Sequence, residues 1–328
     1  MHNLLLADGA AKRLQKELDG IRGLNVLALQ ADGSVILNDK PVSLEDHPVH
    51  IGWISQELFQ ENLFRQYARI LQDAPALRWV QTITAGLDLP MFKDLLEKGA
   101  RLTNSDAQAP AIAEYVVGSV LHRYQQFPER MAMQAKHQWQ PVPFRQIYGT
   151  TWLIVGFGNI GRLVGRMVKG FDGQVIGVKR QAQVSPDADQ IVTFEALPEH
   201  LPAADVIVIA CALTEQTRGL VDQAFLSQLK QDCIIVNIAR GDVVDEAALL
   251  ASLDEGRIEH AVLDVFSQEP LPADSPFWGH ERVLVTPHAS SLGDATGPRS
   301  NALFLSNLTC YLNDEPMRNE VDLGFFSP

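Results

Sequence analysis

The first hundred residues alternate short apolar runs with segments whose apolar positions recur at helical spacing. The predicted strands are residues 4–6, 26–29, 50–54 and 79–83. The predicted helices are residues 10–18, 56–71 and 89–98. Alternation of this kind predicts a first α/β domain with a mostly parallel sheet.

A second alternating region begins near residue 153, after a long segment without strands. Residues 105–137 carry a helical pattern interrupted at Pro110 and Pro128, and the stretch 139–148 indicates a loop. The strands predicted next are residues 153–155, 175–178, 205–210, 233–238, 260–263 and 282–285. The helices predicted with them are residues 222–229, 245–254 and 301–312. Because these runs are nearly continuous in valine and isoleucine, they predict a parallel sheet covered on both faces, and hence a second, doubly wound domain.

Three glycines, Gly156, Gly158 and Gly161, separate the apolar run 153–155 from a helical pattern, and the apolar run 175–178 follows. A strand, a glycine turn, a helix and a parallel strand are the context of the dinucleotide-binding fingerprint. In that fingerprint the first glycine makes a tight turn, the second lets backbone approach a pyrophosphate, and the third lets the helix pack closely on the strand. An ordinary glycine turn is the alternative, and the flanking strands favour the dinucleotide interpretation.

The bulk composition narrows the functional classes. A chain of 328 residues suggests about two domains, and a net charge of −13 with a pI near 5.1 disfavours partners such as nucleic acid or anionic membrane. The sequence has no long apolar run of membrane-span length and no secretion-signal pattern at its start, so we expect a cytoplasmic protein. Three cysteines without CxxC spacing indicate neither a disulfide framework nor a zinc site, and we expect no metal.

An arginine, a carboxylate and a histidine each follow a predicted strand of the second domain: Arg240, Glu269 and His288. Ligands of such domains bind at the carboxyl ends of the strands, so these three side chains are expected to converge there. Reduction of a ketone by a nicotinamide cofactor needs a proton donor, a carboxylate that holds the donor protonated, and a cation for an acidic substrate. For each residue alone, a solvated loop charge is the favoured interpretation, and only their joint placement favours the catalytic one.

Several motifs identify a family. They are AGLD at 85–88, GFGNIG at 156–161, VNIARGDVVDEAAL at 236–249, LDVFSQEPLP at 263–272 and TPHAS at 286–290. With them the chain resembles the D-isomer-specific 2-hydroxyacid dehydrogenases over nearly its whole length. Trp53 in HIGW and the sequence LRWVQTITAGLD are similar to the glyoxylate/hydroxypyruvate reductase branch.

The resemblance implies residue roles. Arg240 is expected to bind the carboxylate and carbonyl of the substrate, His288 to donate the proton and Glu269 to pair with His288. The substrate-binding residues it implies are Trp53, Ala85, Gly86, Leu87, Arg240 and His288. The residues predicted to bind the cofactor rest on the glycine fingerprint, on the resemblance and, for Lys179 and Arg180, on their charge. They are Gly156, Gly158, Asn159, Ile160, Gly161, Lys179, Arg180, Cys211, Ala212, Leu213, Thr217, Ala239, Arg240, Asp264, His288 and Ser290. For the loop at 85–88, a plain turn followed by a helix cap is the alternative to a carboxylate-binding loop.

The resemblance also implies the architecture. Residues 1–103 and 291–328 are expected to form a flavodoxin-like substrate domain, and residues 104–290 a Rossmann domain inserted into it. The expected enzyme is a homodimeric oxidoreductase that reduces glyoxylate or hydroxypyruvate to glycolate or D-glycerate. The alternatives are a D-2-hydroxyacid dehydrogenase for a bulkier 2-oxoacid and a protein that senses dinucleotide and acts through partners.

The end of the second fingerprint strand bears on the cofactor. Many relatives have an aspartate there, whereas this chain has Lys179 and Arg180, and no acidic residue until Asp187. An acidic side chain would bind the ribose hydroxyls of NAD and repel a 2′-phosphate, whereas two cations can pair with that phosphate. We therefore predict NADP as the preferred cofactor, with NAD possible; solvated charges at a strand end are the alternative. Ala212 stands where proline is common in the family, a mild change in a loop expected to line the cofactor.

Overall fold

The computed structural model describes residues 1–326, which divide into two compact units. The first unit is Met1–Gln108 together with the residues from Asp294 onward, and the second is Ala109–Gly293. From the sequence, the domain boundaries were predicted between residues 103 and 104 and between residues 290 and 291. The roles assigned there to the two domains stay predictions.

The strands in chain order are β1 (His2–Ala7), β2 (Leu24–Leu29), β3 (Val35–Leu37), β4 (Lys40–Pro41), β5 (Ile51–Ile54), β6 (Trp79–Thr82), β7 (Arg101–Thr103), β8 (Thr151–Val155), β9 (Gln174–Val178), β10 (Gln190–Val192), β11 (Val206–Ile209), β12 (Ile234–Asn237), β13 (His260–Leu263), β14 (Val283–Val285) and β15 (Glu320–Val321). The α-helices are α1 (Asp8–Arg13), α2 (Gln15–Leu18), α3 (Glu57–Gln60), α4 (Phe64–Asp73), α5 (Pro90–Glu97), α6 (Ala109–Tyr124), α7 (Phe127–Ala135), α8 (Asn159–Gly170), α9 (Leu197–His200), α10 (Gln223–Leu226), α11 (Glu246–Asp254) and α12 (Thr296–Leu312).

The sheet of the first unit has the order β15-β7-β6-β5-β1-β2-β3-β4. Its five central strands, from β7 to β2, pair in parallel, whereas β15, β3 and β4 pair antiparallel at the two edges. Numbered along the chain, the parallel strands run 2-1-3-4-5, which is the flavodoxin-like order. The predicted parallel α/β domain is confirmed. The strands β3, β4, β7 and β15 were not predicted, because each has only two or three residues.

The sheet of the second unit has the order β10-β9-β8-β11-β12-β13-β14, and all of its strand pairs are parallel. Numbered within the unit, this is the Rossmann order 3-2-1-4-5-6 with a seventh strand added. Residues of β8, β11 and β12 are buried and contribute to apolar clusters on both faces of the sheet. The predicted doubly wound dinucleotide fold is therefore confirmed.

The long helical segment before the glycine turn breaks at a different place from the one predicted. The helix α6 contains Pro110 in its first turn, where a missing N–H costs no hydrogen bond, so that proline does not interrupt it. The break lies between α6 and α7, where Gln126 adopts a left-handed conformation with φ of 52°. Pro128 lies within the first two positions of α7 and so begins a helix instead of ending one.

The last helix, α12, lies in the first unit, although in sequence it follows the second. Phe304 of α12 is fully buried and stacks on Trp53 and Trp79 of the sheet. Asn307 donates to Gln81 Oε1 at 2.9 Å and so adds a buried polar contact between helix and sheet. Packing of this kind fixes α12 on one face of the flavodoxin-like sheet.

Candidate active site

All strands of the second sheet are parallel, so the loops that follow them all lie at the carboxyl ends of the strands, on the same side of the sheet. The loops after β9, β8 and β11 carry the predicted cofactor residues near the chain positions 180, 158 and 213. The loops after β12, β13 and β14 carry Arg240, Glu269 and His288. The strand order reverses between β8 and β11, and such a switch point is where dinucleotides bind in open α/β sheets. The predicted cofactor residues thus follow β9, β8 and β11 on one half of the sheet, and the predicted catalytic residues follow β12, β13 and β14 on the other half.

The glycine turn has the backbone that a pyrophosphate site needs. Gly156 has φ of 96°, and a Cβ there would lie 2.4 Å from the backbone nitrogen of Cys211, so only glycine fits. Gly158 precedes α8, and a Cβ added to it would meet nothing within 4 Å, which leaves room for a ligand. Asn159 and Ile160 form the first turn of this 12-residue helix, whose free N–H groups suit an anion.

The loop after β11 is closed by Thr217, one of the predicted cofactor residues. Its buried hydroxyl donates to Ala212 O at 2.7 Å and accepts from Thr214 N at 2.8 Å. This hydroxyl therefore stabilises the loop that contains Ala212 and Leu213. Burial raises the pKa of the neighbouring Cys211 thiol to about 12, so the thiol stays neutral.

Lys179 and Arg180 directly follow β9, where the adenosine ribose of a dinucleotide is expected. The nearest acidic residue along the loop, Asp187, has a side chain only 6% exposed and accepts from Arg162 Nε at 2.9 Å and Arg166 Nε at 3.1 Å. Burial alone would raise the pKa of Asp187, but the hydrogen bonds from the two arginines outweigh it and lower that pKa below its ordinary value. The carboxylate that could take the place of the missing aspartate is thus already paired with two cations.

Arg240 lies in a turn whose shape is fixed by Asn237. The Asn237 side chain accepts from Ala239 N at 3.1 Å and donates to Arg240 O at 3.0 Å. A Cβ on the next residue, Gly241, would lie 1.9 Å from the carbonyl carbon of Phe266, so glycine alone permits this turn to touch the loop that leads to Glu269. Asn237 was not predicted as a site residue, although it lies within the VNIARGD motif, because its role depends on this folded turn.

Glu269 and His288 form the pair that was predicted from the motifs. Glu269 Oε2 lies 2.8 Å from His288 Nδ1, and Oε1 of the same carboxylate accepts from Phe266 N at 2.9 Å. A carboxylate can only accept, so Nδ1 carries a hydrogen and Nε2 is the nitrogen left to face a reactant. The side chains of His288 and Glu269 are 48% and 37% exposed. An exposed pair of this kind can exchange a proton with a ligand.

The backbone of His288 is held in a conformation that non-glycine residues rarely adopt, with φ of 51°. Its N–H donates to Asp264 O at 2.8 Å, and the N–H groups of Ala289 and Ser290 donate to the Asp264 carboxylate at 2.8 and 3.0 Å. Asp264 is 1% exposed. The side chain that the resemblance assigned to the cofactor therefore also holds the backbone beside His288.

The predicted substrate residues of the first unit fall into two groups. Ala85, Gly86 and Leu87 form the loop between β6 and α5, and the carbonyls of Ala85 and Gly86 accept from Asn104 Nδ2 and Thr84 Oγ1, each at 2.8 Å. Because a trans peptide places its N–H opposite its carbonyl, the N–H groups of Gly86 and Leu87 point away from those donors, an orientation suited to an anion.

Trp53 requires a correction. It was expected to bind substrate, but its side chain is 1% exposed and its ring stacks on Phe304 at 4.3 Å between centroids. This burial is the opposite of what a substrate contact needs, so Trp53 belongs to the core of the first unit.

Among residues 1–326, no cluster of three or more histidine, cysteine or acidic side chains is arranged to hold a metal ion. No helix within the same residues is long and apolar enough to cross a membrane.

Comparison with known proteins connects this geometry to a family. Residues 117–290, more than half of the chain, match the family model described as D-isomer specific 2-hydroxyacid dehydrogenase, NAD binding domain. The glyoxylate reductase/hydroxypyruvate reductase of Homo sapiens is 32% identical over 265 residues, which cover 78% of this chain and 80% of that protein. Glyoxylate/hydroxypyruvate reductase A of Klebsiella pneumoniae (strain 342) is 31% identical over 255 residues, with 75% and 81% covered.

A solved structure agrees with both matches. The D-isomer specific 2-hydroxyacid dehydrogenase from Xanthobacter autotrophicus Py2, in complex with NADPH and MES, has a TM-score of 0.77 at 27% identity and covers 98% of each chain. The matched segment contains the glycine turn, Arg240, Glu269 and His288. The chain therefore belongs to the D-isomer specific 2-hydroxyacid dehydrogenases, a family of oxidoreductases that bind a nicotinamide dinucleotide, and it is similar to the members named glyoxylate/hydroxypyruvate reductase.

Proposed function

We propose that this enzyme reduces the short 2-oxoacids glyoxylate and hydroxypyruvate to glycolate and D-glycerate, with NADPH as its preferred cofactor. The observation that carries the proposal is the pairing of His288 Nδ1 with Glu269 Oε2 at 2.8 Å, on strand ends adjacent to that of Arg240. The reduced nicotinamide, when bound, supplies the hydride that reaches the carbonyl carbon. The protein must then supply a proton for the carbonyl oxygen and a cation for the carboxylate.

His288 supplies the proton from Nε2, since Nδ1 is committed to Glu269. The carboxylate of Glu269 accepts the hydrogen on Nδ1 and so holds the ring in one orientation. Arg240 binds the carboxylate of the substrate, for which a guanidinium offers two parallel N–H donors, and it polarises the carbonyl group. Binding of the substrate by the backbone of Ala85, Gly86 and Leu87 stays a prediction.

The preference for NADPH is supported by the charges after β9. Lys179 and Arg180 offer two cations where a 2′-phosphate is expected, and Asp187 is neutralised by Arg162 and Arg166. An anion would therefore meet no uncompensated carboxylate from Asp187. The similar enzyme from Xanthobacter autotrophicus Py2 was solved with NADPH, which agrees with this choice. Gly158 and the first turn of α8 would hold the pyrophosphate.

We also propose that the enzyme is a homodimer, as expected from the resemblance. The segment that follows α6 exposes large apolar side chains, among them Phe127, Met131, Trp139 and Tyr148. Exposed apolar surface of this kind is frequent where a second protein chain binds. Sedimentation should give twice the mass of the 36.2 kDa chain; a single species of that mass would contradict the proposal. A cytoplasmic location stays a prediction from the sequence.

The test of the proposed function is a panel of 2-oxoacids with NADPH and with NADH, followed by the loss of reduced-nicotinamide absorbance. We expect the highest kcat/KM for glyoxylate and hydroxypyruvate, and a higher value with NADPH than with NADH. Higher efficiency with branched or aromatic 2-oxoacids would replace the substrate assignment. Turnover of none of them would refute the proposed function.

A further inference from the structure

A chain of hydroxyl groups lies behind the backbone that carries His288. We call residues 286–290, which follow β14, the histidine strap. Its first residue, Thr286, donates from its side-chain hydroxyl to Asp264 Oδ1 at 2.6 Å. The hydroxyl of Tyr115, in the middle of α6, lies 2.7 Å from the same Thr286 oxygen. Three side chains distant in sequence therefore form one continuous connection from a helix to the strap.

The direction of these hydrogen bonds follows from the chemistry of the groups. An ionised carboxylate only accepts, so the hydrogen of the Thr286 hydroxyl points to Asp264. Tyr115 must then donate to Thr286. Burial, the largest cause, raises the pKa of Tyr115 above its ordinary value, so its hydroxyl keeps the hydrogen that this bond requires. The order of donation is therefore Tyr115 to Thr286 to Asp264.

The end of this connection is the backbone of the histidine strap. Asp264 Oδ1 accepts from Thr286 Oγ1 and Ala289 N, and Oδ2 accepts from Ser290 N, while the Asp264 carbonyl accepts from His288 N. The orientation of this one residue thus fixes three successive backbone N–H groups. His288 needs such support because its left-handed backbone persists only where the surroundings hold it.

We propose that Tyr115 and Thr286 are positioning residues for proton donation: they fix the rotation of the Asp264 carboxylate, and through it the alignment of His288 with Glu269. This inference rests on the proposed function, in which His288 donates the proton. Without the Thr286 hydroxyl, Oδ1 loses its shortest hydrogen bond, and the side-chain carboxylate is held by the N–H groups of Ala289 and Ser290 alone, which belong to the strap that it should position. A displacement of His288 by a fraction of an ångström would then slow the reaction without removing any group that touches a reactant.

The test compares variants that differ by a single hydroxyl. Thr286→Val removes the hydroxyl and keeps the shape of the side chain, and we expect kcat with glyoxylate to fall by about ten- to a hundredfold. Thr286→Ser restores the hydroxyl and should return kcat to within about threefold of the parent. Tyr115→Phe removes the outer hydrogen bond alone and should lower kcat by about two- to tenfold.

A double-mutant cycle distinguishes this role from general loss of structure. Because Tyr115 acts through Thr286, the Tyr115→Phe change should cost almost nothing in a Thr286→Val background. In all variants, the KM for glyoxylate should change by a much smaller factor than kcat, and the melting temperature should stay close to that of the parent. Parent-like kcat in Thr286→Val, fully additive losses in the double variant, or equal losses in Thr286→Ser and Thr286→Val would each overturn the inference. If the parent chain reduces no 2-oxoacid, the proposed function fails first and this inference fails with it.

Discussion

Replacing Glu269 with glutamine removes the negative charge that faces His288 and changes little else in size. In the parent, Oε1 accepts from Phe266 N while Oε2 faces His288 Nδ1. A glutamine can satisfy only one of these contacts: if its oxygen accepts from Phe266 N, its amide hydrogens face Nδ1. Since Nδ1 then faces a hydrogen-bond donor in place of an acceptor, the contact that orients the imidazole ring is lost in the variant. Nε2 of His288 is therefore no longer held in one orientation toward the substrate.

The exposure of both side chains to solvent limits how much the loss of this contact can lower the rate. Both side chains are more than a third exposed, and contacts of this kind contribute at most about 1 kcal/mol, which corresponds to a change in rate of up to about fivefold. We expect Glu269→Gln to lower kcat for glyoxylate reduction by up to about fivefold, with a smaller change in the KM for glyoxylate. Steady-state rates at saturating NADPH measure this, with Glu269→Asp as a control that keeps the charge. Parent-like kcat in Glu269→Gln, or an equal loss of kcat in Glu269→Asp, would refute the pairing argument.

Three further changes test other parts of the structure. The double variant Lys179→Ala, Arg180→Ala should lose about ten- to a hundredfold in kcat/KM with NADPH and almost nothing with NADH, and equal losses with both cofactors would contradict a role in binding a 2′-phosphate. Asp187 has a lowered pKa in the folded protein, so its stabilising contribution is present above its unfolded pKa and is lost as the pH falls through the folded value. Melting temperatures of the parent and Asp187→Asn should therefore differ at neutral pH and converge in acid. A difference that is constant with pH would argue against the ion pairs of Asp187 with Arg162 and Arg166. Gly241→Ala places a Cβ 1.9 Å from the Phe266 carbonyl carbon and should destabilise the fold by about 3 kcal/mol or more in urea unfolding, whereas Gly279→Ala, where a Cβ would meet nothing within 4 Å, is a matched control.

Predictions from the sequence were most accurate where a local run of apolar residues is also buried in the folded sheet. The apolar runs of β8, β11 and β12 are buried on both faces of the second sheet, and these strands could be located within two residues, whereas the three-residue edge strand β10 was not predicted. The strands β3, β4 and β15 are short pieces at sheet edges, whose pairing depends on neighbours that the local pattern does not reveal. Helix α6 ends at Tyr124, and α7 begins after the left-handed residue Gln126. Pro128 does not break a helix there, because proline is well tolerated in the first turn.

Some residues of the candidate site could likewise be predicted from the sequence, and others could not. Arg240, Glu269 and His288 could be predicted because each directly follows a strand and lies in a recognisable motif. The connection from Tyr115 to Thr286 spans 171 residues of sequence and exists only because α6 packs near β14. Trp53 was misassigned because its stacking partner, Phe304, lies in a helix about 250 residues later. Contacts of this range depend on packing and cannot be inferred from spacing along the chain.

The most direct test of the account is the rate of glyoxylate reduction by His288→Asn beside that of the parent, at saturating NADPH and neutral pH. Asparagine adopts left-handed backbone more readily than most residues, so the φ of 51° at this position should be kept while the proton donor is lost. We predict that the parent reduces glyoxylate and that the variant is slower by about two to four orders of magnitude, while its affinity for NADPH changes by a far smaller factor. Near-parent turnover by His288→Asn would show that another group or water supplies the proton, and would contradict the central claim.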